Sequence, residues 1–580
     1  MKENSEGKKK LLRLAPYPAV FCAYVVFCLT EKLYLDIDNY NLAIICNGML
    51  GNNNFCQYVH PLLCLALRLP KCIFPSTDVF TALAHLLLIV SLGWMLCLLF
   101  ERFASWPGRL AVLAAAVYLC FGVVLWNVNY TVWAAFFSFV GCLGIFSAKE
   151  GKEGRIRRIA GAALYGFGLM FRWEAAFILL PYIALTILAK PSEEHFTKGS
   201  IRRELMRFLP WLVVFAGLGL GRNLFYSAEP WKSGLAYDNA RRILEDFPVL
   251  QWDEMPLLPE GVDEYTYRGV TGWTNADTDD VDVQKLCLLA EYGKKQRYQT
   301  SAEGFVSALL KLGNVLLLMH PGELLIPLCV LLLMAFAPSE KKLHHAGKAL
   351  ALFGSFIILL YFEMRGRNVM RLGQSVLLAA FLPAVFMTGN AKSRESGKAA
   401  GFCLAIALLF LTGCFLTPKE PASGTTVLSA ADGTVEERFA SVCKEDQIFL
   451  VGGWLDIGAI FDRKGNRVYF GGGVTYGWSS LLSELMDGGK LPSPYFLKHF
   501  IPAGWYWYGQ EYYRSFLEEL GVENPVKALV EQDRMRLWDR SEDSVFREYF
   551  FVYLYRLYGD MDVIRERTAD GYPLYRFEKK

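Results

Sequence analysis

The alternation of long apolar segments with short charged clusters constrains this chain more than any other feature. Of its 580 residues 53% are hydrophobic, and they are concentrated in long runs that lack charges. A bilayer core about 30 Å thick requires about 20 apolar residues for each helical crossing. We therefore predict an α-helical polytopic membrane protein with about eleven spans. They lie near residues 15–35, 79–100, 109–126, 131–148, 157–171, 175–189, 206–221, 312–337, 347–362, 373–389 and 399–416.

The positions of lysine and arginine predict the orientation of these spans. Cytoplasmic loops carry an excess of positive charge, and Lys and Arg cluster in residues 1–14, 149–158, 190–207, 341–348 and 392–398. These clusters all lie on one side only if an even number of spans separates them. That condition requires a hairpin of two short helices turning at Arg172-Trp173-Glu174. The N-terminus is then inside, and the loops 36–78 and 222–311 and the C-terminal region are outside. The first span lacks a small-residue cleavage site, so we do not interpret it as a signal peptide.

Three parts of the chain are predicted. Residues 1–14 form a cytoplasmic tail, residues 15–417 the membrane domain, and residues 418–580 a small extracytoplasmic α/β domain that follows a Pro-, Gly- and Ser-containing linker at 418–426. Strands are predicted at 447–451, 467–470 and 572–577, and helices at 510–520 and 541–558. The aromatic residues at 505–508, with Tyr512 and Tyr513, favour a core or a membrane-interface belt over a sugar-stacking surface.

Two carboxylates, Asp36 and Asp38, follow the first span and are the candidate catalytic residues. A positioned carboxylate is able to accept the proton of an attacking hydroxyl. Asp36 is the first choice for the base because it lies nearer the membrane, and Asp38 is the second, as an orienting group or metal ligand. On an extended chain the two side chains share one face. On a helix they diverge by about 200°, so that only one would act.

The rest of the first outer loop is predicted to hold two amphipathic helices on the membrane surface, at 39–50 and 58–69. Asp78 is predicted to cap the next span. Cys46, Cys56, Cys64 and Cys72 share this loop, and their spacing leaves any disulfide pairing open.

Arginines at two predicted outer turns are the candidate ligands for a lipid phosphate. Arginine binds phosphate with planar, bidentate hydrogen bonds, and positive charge is not favoured on the outer side. Anionic head groups, or an ion pair that pins the hairpin, would also explain these residues. The set is Arg172, Glu174, Arg365, Arg367 and Arg371.

Three further residues, His60, Arg68 and His320, are secondary candidates. His320 begins the sequence HPGE, which predicts a kink or a helix start. The acidic stretch at 277–280 lacks the glycine of a calcium-binding loop, so a solvated helix start is favoured there over a metal site. We predict no resident cofactor and leave a divalent metal open.

Several functional classes are excluded by what the sequence lacks. Gly471-Gly472-Gly473 is not followed by the GK[ST] of a phosphate loop, and no Ser–His–Asp spacing or CxxC metal pattern is present. No nucleic-acid partner is expected. A carboxylate near the membrane, outer arginines and large outer loops suit sugar transfer from a lipid-linked donor, whose departing phosphate gains charge that arginine stabilises.

The order of these features resembles the GT-C glycosyltransferases, and more closely a group of uncharacterised bacterial polytopic proteins of this type. The matching pieces are DIDNYNLAIICNGMLG, YVHPLLCLAL, GLMFRWEAA, YDNARRILEDFP, GWTNAD and RGRNVMR. The resemblance covers most of residues 15–390. It implies an inverting enzyme of the bacterial cytoplasmic membrane that moves a sugar from a polyprenyl phosphate to a cell-envelope glycan or lipid at the outer face. It also implies that Asp36 or Asp38 is the base and that outer arginines hold the lipid phosphate.

Two alternatives remain at this stage. A polymerase or ligase that uses lipid-diphosphate-linked glycans would depend on the arginines and the 222–311 loop and would not need the two aspartates. A transporter or membrane scaffold would not be an enzyme. A transporter is expected to contain broken helices or polar residues near mid-span, and the largely apolar spans disfavour it.

Overall fold

The computed structural model describes most of the membrane domain and part of the C-terminal region. The described residues are 15–30, 37–51, 53–103, 105–120, 129–189, 198–245, 260–263, 266–267, 277, 279–297, 302–337, 339, 342–366, 370–388, 396–417, 448–452, 491, 499–502, 510–539, 544–567 and 573–580. The predicted cytoplasmic tail 1–14, the linker 418–426, the strand 467–470 and the aromatic stretch 505–508 lie outside them.

A helix coincides with every predicted span. In chain order the helices of this part are α1 (Pro16–Thr30), α2 (Ile37–Cys46), α3 (Pro61–Ile73), α4 (Val79–Arg102), α5 (Trp106–Tyr118), α6 (Tyr130–Ser147), α7 (Lys152–Phe171), α8 (Trp173–Phe177), α9 (Leu180–Ala189), α10 (Lys198–Tyr226), α11 (Trp231–Glu245), α12 (Val283–Arg297), α13 (Ala302–Asn314), α14 (Ile326–Phe336), α15 (Lys342–Met364), α16 (Met370–Met387) and α17 (Ser396–Leu416).

Fewer of these helices than predicted are long and apolar enough to cross a bilayer. Within the described residues six meet both conditions, and a seventh span results if one bent pair is counted as a single crossing. The helix α1 is short, α5 has 13 residues, α7 begins with a cluster of charges, and the chain breaks between α8 and α9. The structure therefore supports a multi-pass membrane protein, whereas the number of about eleven spans remains a prediction.

Glycines and a serine bring α6 and α7 into close contact. A Cβ atom on Gly141 would lie 2.5 Å from the carbonyl oxygen of Gly161, and one on Gly168 would lie 2.1 Å from Oγ of Ser138. Such contacts are allowed only where a side chain is absent, which is how small residues let membrane helices approach each other. This pair of helices carries the two ends of the candidate site, Tyr130 and Arg172.

The first outer loop differs in part from its prediction. Two helices occur there, but α2 is buried along its length, with Leu42 and Ile45 fully inaccessible, so it is not a surface helix. The helix α3 does present an exposed apolar face, which includes Leu65 and Leu69. The aspartate predicted as a cap, Asp78, accepts a hydrogen bond from the backbone of Thr81 at 3.1 Å, as predicted.

The helical backbone is interrupted at Arg172, and the chain bends at His320. The backbone at Arg172 is extended, and the hydroxyl of Tyr165 in α7 donates to the carbonyl of Ala176 in α8 at 3.0 Å. Around His320 two π-helical segments, Val315–Met319 and Pro321–Leu325, join helices that differ in direction by 105°. The predicted kink is confirmed, and it interrupts the predicted span 312–337.

The described C-terminal residues form a mixed sheet with helices. The elements are β1 (Ile448–Gly452), β2 (Phe500–Pro502), α18 (Glu511–Leu520), α19 (Pro525–Glu531), β3 (Met535–Asp539), α20 (Ser544–Tyr558), β4 (Met561–Arg567) and β5 (Pro573–Lys579). The strand order is β2-β1-β3-β5-β4, with β1 parallel to both neighbours and β5 antiparallel to β3 and β4. The predicted strands at 447–451 and 572–577 and both predicted helices are present.

This sheet domain contacts the loop predicted at 36–78. Gly51 has a φ of +65°, which favours glycine, and a Cβ atom there would lie 3.2 Å from the backbone nitrogen of Phe516 and from the carbonyl oxygen of Tyr512. The backbone nitrogen of Leu491 also donates to Ser76 at 2.9 Å. Tyr512 and Tyr513 are buried, in agreement with the predicted core role.

Candidate functional site

A carboxylate and an arginine that are 333 positions apart in sequence meet at the centre of the candidate site. Asp38 lies in the first turn of α2 and is 8% exposed. Arg371, in the first turn of α16, donates from Nη1 to Oδ2 of Asp38. Asp38 was the second choice among the two predicted catalytic carboxylates, and Arg371 was predicted to bind a phosphate. The fold brings the two predicted groups into direct contact.

Tyr130 connects this ion pair to a second arginine. Its backbone nitrogen donates to Oδ1 of Asn39, the residue after Asp38, at 2.9 Å. Its hydroxyl accepts a hydrogen bond from Nη1 of Arg172 at 2.5 Å. The hydroxyl also lies within electrostatic range of Asp38 and Arg371. The two predicted phosphate ligands therefore approach one another around a single tyrosine.

The guanidinium of Arg172 contacts two aromatic rings. Its central carbon is 5.2 Å from the ring centre of Tyr58 and 5.3 Å from that of Tyr130, distances at which a cation is attracted to the ring face. Nε is 3.1 Å from Oε2 of Glu174, whose side chain is half exposed. The rings hold the position of the arginine, while the ion pair with Glu174 lies at the exposed edge of the site.

A second buried carboxylate extends the cluster into the loop 222–311. Asp238 in α11 accepts from Nη2 of Arg241 at 2.8 Å and from the hydroxyl of Tyr58, and Nε of Arg242 lies 3.4 Å away. Burial raises the pKa of Asp238, but the two arginines and the tyrosine outweigh it, so that the pKa is lowered. Asp238 therefore stays ionised and fixes the hydroxyl end of Tyr58.

We call this connected set the Asp38 cluster, and it contains more cationic than anionic groups. Glu174 lies within electrostatic range of Arg222 as well as of Arg172 and Arg242. Five arginines accompany three carboxylates, which leaves an excess of positive charge that suits an anionic ligand. The members are Asp38, Tyr58, Tyr130, Arg172, Glu174, Arg222, Asp238, Arg241, Arg242 and Arg371.

The other predicted primary residues are not part of the described cluster. Arg365 donates from Nε to the hydroxyl of Tyr361 at 3.1 Å and stacks on that ring, one turn earlier in its own helix. Asp36 and Arg367 lie outside the described residues. The first choice for the base is therefore neither supported nor opposed.

The secondary candidates have local structural contacts. His60 caps α3 by accepting from the backbone of Leu62 at 3.1 Å, and its Nε2 is 2.9 Å from the carbonyl oxygen of Leu218. Burial lowers the pKa of His60, in keeping with a neutral ring that accepts at Nδ1. Arg68 donates to Oδ1 of Asn54 at 3.0 Å.

The acidic stretch at 277–280 forms a second carboxylate cluster, which we call the Asp277 cluster. Asp277 accepts from Nδ2 of Asn524 at 2.8 Å and from the hydroxyl of Tyr558. Asp280 accepts from the hydroxyl of Tyr553 at 3.0 Å and from Nζ of Lys285 at 3.1 Å. The stretch lies just before α12, but Asp277 is 3% exposed, so the predicted solvated helix start is wrong at that residue. Its carboxylates instead attach the C-terminal domain to the loop 222–311.

Cysteine and metal chemistry receive no support in the described part of the chain. Cys46, Cys56, Cys64 and Cys72 are all free thiols. Within the described residues, no three His, Cys, Asp or Glu side chains are arranged to hold a metal ion.

Sequence reasoning missed Tyr58, Tyr130, Arg222 and the Asp238 group as site residues. Only the last left a readable signal, because Asp238 lies three and four residues before Arg241 and Arg242, on one face of a helix. The role of the tyrosines depends on contacts such as that of Tyr58 with Asp238, 180 positions away. No local pattern contains that information.

Comparison of the chain with protein-family models, curated proteins and solved structures finds no match. The functional argument therefore rests on the geometry of the Asp38 cluster and on the chemistry of its residues.

Proposed function

We propose that this protein is an integral membrane glycosyltransferase that transfers a sugar from a polyprenyl-phosphate donor to a glycan or lipid of the cell envelope, at the outer face of a bacterial cytoplasmic membrane. The observation that carries the proposal is the contact between Asp38 and Arg371 beside Arg172. A proton acceptor and two phosphate ligands within one cluster are the groups that such a transfer needs.

The roles follow from the charges of the two partners. Asp38 accepts the proton of the acceptor hydroxyl as its oxygen attacks the anomeric carbon. The bond between that carbon and the phosphate oxygen breaks with inversion, and the lipid phosphate leaves with an additional negative charge. Arg371 and Arg172 stabilise that charge, which grows toward the transition state and is therefore a source of rate enhancement.

The environment of the arginines supports this assignment. Tyr58 and Tyr130 both contact the guanidinium of Arg172 through their rings, so its fork is oriented before a ligand arrives. Arg371 has a third of its side chain exposed, which leaves it within reach of a phosphate from solvent or from the lipid surface. Asp36, if it lies beside Asp38, would be a second carboxylate of the same site.

A second candidate is a polymerase or ligase that uses lipid-diphosphate-linked glycans. It is favoured by the contribution of the large outer loop, since Arg241 and Arg242 join the cluster from α11. A diphosphate carries more charge than a monophosphate ester and would use the additional arginines. In that case Asp38 would serve mainly to position Arg371.

The test is the accumulation of lipid-linked donor and the loss of surface glycan in cells that carry Asp38→Asn, Arg371→Gln or Arg242→Gln at equal protein levels. We expect the first two variants to lose transfer and accumulate the polyprenyl-phosphate sugar. The matched control is Arg365→Gln, in the same turn region but bonded to Tyr361, and it should keep normal glycans.

The alternatives give different patterns. If Asp38→Asn is active while Arg371→Gln and Arg242→Gln are inactive, and lipid-diphosphate species accumulate, the polymerase or ligase replaces the proposal. Normal glycans in all three variants would rule out both enzymes.

A further inference from the structure

Two buried amide side chains lie one helical turn from the two partners of the central ion pair. Gln374 follows Arg371 by three residues in α16 and is 4% exposed. Asn41 follows Asp38 by three residues in α2 and is also 4% exposed. Residues three apart in a helix lie on one face, and helical side chains lean toward the N-terminus. Both amides are therefore placed on the side of their helices that carries the contact between Asp38 and Arg371.

These amides lack hydrogen-bond partners among the residues that the structure describes. Neither Nε2 nor Oε1 of Gln374 has a partner in this part of the chain, and the same holds for Oδ1 of Asn41. Burial of an amide without a hydrogen bond is costly, and most buried polar atoms in proteins are paired. Two such residues beside one ion pair indicate that a bound molecule supplies the missing partners.

Polar side chains directly beside the two amides do have partners. Oγ of Ser375, the residue after Gln374, donates to the carbonyl oxygen of Arg371 at 2.8 Å. Oδ1 of Asn39 accepts from the backbone nitrogen of Tyr130 at 2.9 Å. The same stretches of α2 and α16 are therefore able to satisfy polar groups, and the unpaired amides contrast with their neighbours.

The chemistry of the unpaired atoms restricts what a bound molecule must offer. Nε2 of Gln374 donates hydrogen bonds, whereas Oε1 of Gln374 and Oδ1 of Asn41 accept them. A hydroxyl group both donates and accepts, so adjacent hydroxyl groups would satisfy all of these atoms. A carboxylate only accepts and an ammonium group only donates, so either would leave amide atoms unpaired.

From these observations we propose that Gln374 and Asn41 bind the hydroxyl groups of an uncharged sugar, beside the groups that hold its phosphate. The inference rests on the proposed function, in which Arg371 and Arg172 hold the phosphate of the same donor. A sugar acid, or an amino sugar with a free ammonium group, is then a poorer donor. Gln374 and Asn41 determine specificity and take no part in breaking the bond to the phosphate.

The first test measures the thermal unfolding of the purified full-length protein without a ligand. Gln374→Met and Asn41→Leu replace each amide by an apolar side chain of similar shape. Because these amides have no partner in the protein to lose, the melting temperature should be unchanged or raised. The matched control is Asn47→Leu. Asn47 is 5% exposed, donates to Asp78 at 2.8 Å and accepts from the backbone nitrogen of Val79 at 3.1 Å, so this variant should melt several degrees lower.

The second test measures the binding of synthetic probes to the same proteins in detergent micelles. The probes are a short-chain polyprenyl phosphate and the same phosphate carrying a neutral hexose, a hexuronic acid or an amino sugar. We expect the wild type to bind a neutral hexose derivative about 10-fold more tightly than the bare phosphate, which is the effect of one or two hydrogen bonds. Gln374→Met and Asn41→Leu should bind the bare phosphate as the wild type does and lose this preference.

The outcomes separate this inference from the proposed function. If the wild type binds none of the probes, or if Arg371→Gln binds the bare phosphate equally well, the proposed function fails and this inference with it. If the phosphate binds but no neutral hexose binds more tightly, or if both amide variants keep the preference, this inference alone is overturned. Melting temperatures of Gln374→Met and Asn41→Leu as low as that of Asn47→Leu would also overturn it, because the amides would then have partners within the protein.

Discussion

The Asp38 cluster and the Asp277 cluster are built from similar acids but differ in the donors that satisfy them. In the Asp277 cluster tyrosine hydroxyls, an asparagine amide, backbone N–H groups and one lysine donate to the carboxylates. In the Asp38 cluster arginines dominate and outnumber the acids.

This difference distinguishes a structural contact from a binding site, in which a ligand is able to replace a carboxylate as the partner of an arginine. Neutral donors such as Tyr558 satisfy a carboxylate without neutralising it, so the Asp277 cluster keeps a net negative charge that repels an additional anion. Arg371 and Arg172 remain charged whatever they contact, and a phosphate is able to replace a carboxylate as their partner. The first cluster therefore suits domain attachment, and the second suits ligand binding.

The largest expected effect contrasts the two aspartates directly. We expect Asp38→Asn to lower transfer activity about 10³-fold, because a general base is lost, with little change in thermal unfolding. Asp277→Ala should instead lower the free energy of unfolding by about 3 kcal/mol, because several donors lose their acceptor, and leave the activity of the folded fraction intact. Donor consumption by purified protein and thermal unfolding measure the two effects. The contrast fails if both variants lose activity to the same degree.

The next largest effect should come from Asp238, which belongs to the Asp38 cluster but is fully paired. Asp238→Ala removes the carboxylate that pairs with Arg241, whose side chain is 2% exposed, and should cost about 3 kcal/mol of stability. The lowered pKa of Asp238 means that its stabilising contribution is present at neutral pH and is lost only as pH falls through that value. Chemical unfolding at neutral and acid pH measures the change.

A matched control for Asp238→Ala is Asp263→Ala, which removes the partner of Arg556 in a pair that is nearly half exposed on both sides. The control should change stability by less than about 1 kcal/mol. Equal effects of the two variants would mean that burial does not distinguish these ion pairs.

A smaller effect is expected from the tyrosine that attaches the C-terminal domain. Tyr558→Phe should cost about 2 kcal/mol, since Asp277 loses one buried donor. Tyr555→Phe, which removes a hydrogen bond to the carbonyl of Met561 on the more exposed side of the same helix, should cost less. Limited proteolysis and unfolding of the full-length protein compare the two. A larger loss in Tyr555→Phe would contradict the role assigned to the Asp277 cluster.

The smallest effect is a dependence on alkaline pH. Burial and the neighbouring Asp277 raise the pKa of Tyr558, so its contribution is complete below the value of an unfolded tyrosine, about 10, and is lost as pH rises further. The difference in stability between the wild type and Tyr558→Phe should shrink by up to about 1.4 kcal/mol per pH unit above that point. Unfolding measured across that range tests it, and a constant difference would refute the assignment.

Local patterns in the sequence predicted the elements of the fold well. Each apolar segment coincides with a helix, Asp78 is a helix cap, and the chain breaks at Arg172 and His320, where charge or proline interrupts an apolar run. The number of membrane crossings was harder to predict from the sequence. Helices that share the apolar pattern differ in length and in the charges at their ends, so not all of them are suited to cross a bilayer.

The candidate site was predicted only in part, for a physical reason. Asp38, Arg172 and Arg371 were found from the sequence because a charged side chain near a membrane is costly and therefore indicates a functional site. Which of them meet is decided by long-range packing, as in the contact of Tyr130 with Arg172. The prediction that α2 lies on the surface was wrong, because apolar residues cover all of its faces and the helix is buried by its neighbours.

The contact at Gly51 has a consequence for the energetics of the whole molecule. The loop that carries Asp38 and the helix α18 of the C-terminal domain approach within the space that a single Cβ atom would fill. Ordering of this loop and docking of the C-terminal domain therefore stabilise each other. The free energy of this coupling is the same in both directions. A ligand bound only by the assembled site would raise the melting temperature of a domain that it never touches.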